Sequence, residues 1–143
     1  MKLDYPKILN NNLLNVLKDV LKNIQKNGLE EGHHLFITFN TQNKKINIPN
    51  WLLKKFPKEM TIIIQYEYWN LKVLKNYFHI TLSFEDIKTE LIIPFNSIIS
   101  FVDPYANFGL KIIQNSKKDK NKVKKDILNN DNVIELKNFK NKI

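Results

Sequence analysis

Helical periodicity occupies the first segment of this chain, and after Gly28 the pattern changes to short strand-like runs. Leu9, Leu13, Val16, Leu17, Val20, Leu21 and Ile24 recur at three- and four-residue spacing, which puts them on one face of an α-helix. Pro6 stands where a first turn begins, and Gly28 follows as a stop. The pattern predicts one amphipathic helix over residues 6–27, with Leu14 adding apolar surface beside the stripe. Such a face packs on its own domain or against a second subunit, and the spacing leaves both open.

From Leu35 to Ile113 the signals are strands. Leu35-Phe36-Ile37-Thr38-Phe39 is β-branched and aromatic. Thr61-Ile62-Ile63-Ile64-Gln65-Tyr66 is an apolar run ending in polar residues. His79-Ile80-Thr81-Leu82-Ser83-Phe84 alternates, so Ile80, Leu82 and Phe84 share a face. Glu90-Leu91-Ile92-Ile93-Pro94-Phe95 follows the polar break Glu85-Asp86, which predicts a hairpin. Pro94 belongs at a strand end or edge, because it cannot donate to a ladder. Ser97-Ile98-Ile99-Ser100-Phe101 reads as a helical turn or a strand, and Phe108-Gly109-Leu110-Lys111-Ile112-Ile113 as a final strand. One helix followed by short strands gives an α+β, mainly β chain, built as a small sandwich or roll.

A chain of 143 residues suits one domain plus a tail. No apolar run approaches the roughly 20 residues of a membrane span, and the first residues have no leader-like apolar stretch. There are no cysteines, which excludes disulfides and thiol chemistry. A cytoplasmic protein with no membrane association is expected. The net charge of +9 invites a nucleic-acid partner, but all 23 basic residues are lysine. Arginine, the residue suited to bidentate phosphate and guanine contacts, is absent, which argues against that partner. Residues 115–132 are Lys-, Asn- and Asp-rich and predict a flexible, disordered linker. Apolar character returns within residues 133–143, at Val133-Ile134-Glu135-Leu136-Lys137-Asn138-Phe139. This island is either a docking peptide or an element folded back on the body.

The catalytic inventory is thin. Adjacent imidazoles such as His33-His34 point to opposite faces of a strand and make a poor metal pair. Glu30-Glu31 and Glu85-Asp86 read as solvated turns, and three glycines cannot build a phosphate loop. No catalytic residue, metal ligand or cofactor is assigned, and a non-enzymatic binding module is favoured. The most informative stretch is Ile64-Gln65-Tyr66-Glu67-Tyr68-Trp69-Asn70. Aromatics beside amides suit a peptide groove, with apolar area for affinity and amides to align a backbone. An aromatic core edge is the other reading, especially for Trp69.

Several of these motifs, in order, resemble the stringent starvation protein B (SspB) family in its alphaproteobacterial form. They are residues 28–39, Phe56-Pro57-Lys58-Glu59-Met60 running on to Leu71, Leu82-Ser83-Phe84, Pro94-Phe95 and residues 101–110. The likeness covers roughly residues 4–113, and residues 133–140 resemble the family's C-terminal docking peptide. The resemblance implies an N-terminal helix followed by a small open β-roll or barrel, similar to Sm folds. It divides the chain into a tag-binding domain at 1–114 (helix 6–27, β-roll 33–113), a linker at 115–132 and a docking peptide at 133–143. It further implies a homodimer formed through the helix. Each groove would bind the ssrA tag of polypeptides from stalled ribosomes, and each tail would dock on the N-terminal domain of the ClpX unfoldase of ClpXP. Gln65, Tyr66, Leu82, Ser83 and Phe84 carry over as groove residues, with Phe36 and Phe101 as groove or core. Val133, Ile134, Leu136 and Phe139 carry over as docking residues. Tyr66 stands where the family often has histidine, and Lys137 where it usually has an acid. The alternative function is a single-stranded RNA-binding Sm-like module.

Overall fold

The computed structural model describes residues 3–113. Helix α1 spans Tyr5–Asn27. The side chain of Asp4 caps it by accepting from the Lys7 N–H at 3.1 Å, and Pro6 lies in its first turn. It ends where the Gly28 N–H reaches the Ile24 carbonyl at 2.8 Å, with Gly28 at φ 80°. Leu17, Leu21 and Ile24 are its buried residues.

Seven strands follow: β1 Leu35–Asn40, β2 Glu59–Ile64, β3 Tyr68–Val73, β4 Tyr77–Phe84, β5 Ile87–Pro94, β6 Ile98–Asp103 and β7 Phe108–Lys111. They form two open sheets. One has four strands in the order β2-β1-β6-β7, and the other is the meander β3-β4-β5. All pairs are antiparallel. The inner faces share one core with α1, built around Phe39, Phe78, Phe101, Leu17 and Leu21. The result is a helix followed by an α+β domain with an open β-roll rather than a closed barrel.

The hairpin at Glu85-Asp86 is present, and both residues have positive φ, 52° and 64°. A two-residue loop of this kind matches the right-handed twist of its flanking strands. Pro94 is the last residue of β5, an edge strand, where it pairs with Tyr77. The ambiguous segment after it splits: Phe95–Ser97 is a single 3-10 turn and Ile98 begins β6. Two elements were not expected. A short helix α2 occupies Asn50–Lys55 behind Pro49, and β3 occupies the aromatic stretch from Tyr68. β3 lost its period-two signal because a bulge interrupts its pairing between Trp69 and Lys72, with Asn70 at φ 54°. The linker at 115–132 and the docking peptide at 133–143 lie outside the described residues.

Candidate functional site

Among the described residues β2 is an edge strand, so one side of its backbone has no strand partner there. The chain leaves it at Ile64, crosses through residues 65–67, and enters the second sheet at Tyr68. That entry point is anchored at both ends of β3. The Tyr68 hydroxyl accepts from the Leu29 N–H at 3.2 Å, and Gln25 Oε1 accepts from the Val73 N–H at 2.9 Å. β3 pairs with β4 only as far as Tyr68 opposite Leu82. Ser83 and Phe84 therefore extend past the start of β3, paired on the β5 side alone.

Between the free edge of β2 and this overhang of β4 lies an open groove of about 410 Å³. Its lining brings together all five residues that the family resemblance carried over to a groove: Gln65, Tyr66, Leu82, Ser83 and Phe84. Leu82 is buried, Ser83 and Phe84 are half-buried, and Gln65 is exposed. Tyr66 stands 76% exposed, so its ring is available for packing. The remaining lining comes from Thr61, Ile62, Ile63 and Glu67. Ile63 was hidden inside an apolar run, yet β2 alternates and Ile63 points outward at 42% exposure. An apolar wall, an unpaired strand edge and a free amide together can hold an extended backbone.

Other candidates separate from this site. Trp69 pairs with Thr81 in the sheet register and carries Lys88 Nζ 4.1 Å above its ring, so it is not part of the groove lining. Phe101 is core at 1% exposure, and Phe36 is half-buried on β1. His34 was not a candidate, yet its ring lies edge-on to Tyr66 with centroids 6.1 Å apart. Its Nε2 is buried without a hydrogen-bond partner among the described residues. A larger hollow of about 590 Å³ lies beside α1, lined by Asn11, Lys18, Tyr77 and Phe95 among others, and contains none of the five groove residues.

His33 gains an acid that its sequence neighbourhood did not show: its Nδ1 lies 2.7 Å from Asp103 Oδ2. His79 Nδ1 lies 3.5 Å from Glu90 Oε1 across the sheet. Among the described residues no three His, Cys, Asp or Glu side chains gather as a metal site. No helix among them is long and apolar enough to cross a membrane. Val133, Ile134, Leu136 and Phe139 lie outside the described residues. A family model described as SspB, stringent starvation protein B, matches residues 8–139. No curated protein matches the chain.

Proposed function

The chain belongs to the stringent starvation protein B (SspB) family, and from that premise we propose that it is a non-enzymatic protease adaptor. In this reading the β2–β4 groove binds ssrA-type degradation tags, and residues 133–143 tether the assembly to the ClpX unfoldase of ClpXP in the cytoplasm. The observation that carries it is the groove itself: an unpaired strand edge facing the overhang of β4, with Gln65 and Tyr66 at its rim.

The tag lies in the groove as an extended segment. Backbone hydrogen bonds to a strand edge supply sequence-independent affinity, and contacts with Ile63, Tyr66 and Phe84 supply selectivity. The amide of Gln65 can donate to and accept from a peptide unit at once. Delivery follows from tethering: a tag held on a docked adaptor experiences an effective concentration that can reach about millimolar.

The adaptor is a homodimer through α1. Leu9, Leu13 and Val20 are half-buried and Val16 is 38% exposed. With about 100° between successive helix residues, these four form a second apolar stripe roughly a quarter-turn from Leu17, Leu21 and Ile24. A single copy buries only the latter fully; Leu13 and Val20 pack in part against its core, and Val16 stays exposed.

Fluorescence polarisation with a labelled ssrA-type tag peptide tests the groove. Saturable binding that survives moderate salt supports it. Absence of peptide binding, beside steeply salt-dependent binding of labelled single-stranded RNA, would sink it in favour of an RNA-binding module.

A further inference from the structure

The groove lining carries one charge, opposite in sign to the net charge of the whole chain. Every other lining residue is neutral; the exception is Glu67. The chain as a whole carries +9, with 23 lysines against 14 acids. Glu67 is exposed and has no ion-pair partner among the described residues. Two lysines that border the β4 wall are engaged elsewhere. Lys55 pairs with Glu85, next to Phe84, and Lys88, opposite Ser83 in the register, lies over Trp69.

We propose that Glu67 sets the charge preference of the groove, favouring an extended peptide with a lysine facing it over one with a carboxylate there. The inference rests on the peptide-binding reading above and adds its specificity. An unpaired carboxylate beside a bound backbone attracts a cation and repels an anion. The effect is local, since charges more than about 8 Å apart are largely screened at physiological salt. For an exposed pair it is also modest, about two- to five-fold in affinity at the one facing position. Other positions of the peptide are indifferent to this residue.

The test uses a fluorescent ssrA-type tag peptide and two series of variants, with Lys or Glu substituted at one position at a time. Each is titrated against the full chain, Glu67→Gln and Glu67→Lys, at low and physiological salt. The expected result is one position, or two adjacent ones, where Lys binds about two- to five-fold more tightly than Glu. That contrast disappears in Glu67→Gln, reverses in Glu67→Lys, and shrinks as salt is added. If the peptides bind but no position's Lys-to-Glu ratio responds to either substitution, Glu67 has no part in selection. If no peptide binds the unaltered chain at all, the peptide-binding reading falls and this inference falls with it.

Discussion

His33 and Asp103, 70 positions apart in sequence, meet at 2.7 Å and join the α1–β1 connection to the end of β6. The second Asp103 oxygen accepts from the Ala106 N–H at 3.2 Å, and the Tyr105 ring lies 4.5 Å from that of His33. Gly32 permits this packing, because a Cβ there would come within 3.2 Å of Tyr105 and φ is +88°. Asp103→Ala strands both donors in a half-buried site. A loss of about 1–3 kcal/mol is expected, read as a lower urea midpoint with tag affinity retained. An unchanged midpoint would show that the contact contributes nothing net.

Gln65→Ala removes an exposed amide from the groove rim without touching the core. Tag binding is expected to weaken by about five- to ten-fold, the equivalent of one net hydrogen bond of roughly 1–1.5 kcal/mol. The thermal melt should not move. Undiminished affinity in the polarisation titration takes Gln65 out of the site.

The two stripes of α1 have separable roles. Leu17 is fully buried, so Leu17→Ala should destabilise the fold by about 2–5 kcal/mol. Val16 is partly exposed, and Val16→Glu should leave the subunit folded while halving the mass seen by light scattering. A dimer that persists at micromolar concentration places the subunit contact elsewhere.

Asp86 adopts a left-handed backbone, φ 64°, that favours glycine. Asp86→Gly should therefore stabilise the β4–β5 hairpin, by up to about 1 kcal/mol. Glu85, whose carboxylate pairs with Lys55, is left in place. A lower melting temperature would mean that the aspartate side chain itself supports the turn.

Removal of residues 133–143 is expected to abolish degradation of a tagged reporter by purified ClpXP while leaving tag affinity within about two-fold, since tethering and groove binding are independent terms. Loss of both activities together would assign those residues to the body of the domain.

Much of the fold was legible because it rests on local pattern. Pro6, Gly28 and the heptad-like apolar spacing mark α1, and Glu85-Asp86 marks a hairpin whatever surrounds it. α2 escaped because six residues are too few to show a helical period. β3 escaped because the left-handed Asn70 shifts its register, so Tyr68 and Leu71 face the core without strict alternation. In the groove, motif likeness located the residues on the two walls. Ile63 was missed because an unbroken apolar run hides which side chains face outward, and Glu67 because it lies in the crossing between the two sheets, outside any strand. The His33–Asp103 contact was out of reach for a similar reason: only the pairing of β1 with β6 brings the two together.

The two-residue turn at Glu85-Asp86 has an effect beyond its own hairpin. It fixes the alignment in which Ser83 faces Lys88 and Leu82 faces Thr89. Strand side chains alternate, so a slip by a single position would turn Leu82 and Phe84 out toward water and drive the Ser83 hydroxyl into the apolar interior. Inserting or deleting one amino acid at this bend would thus invert the wall's character without altering any residue that lines it.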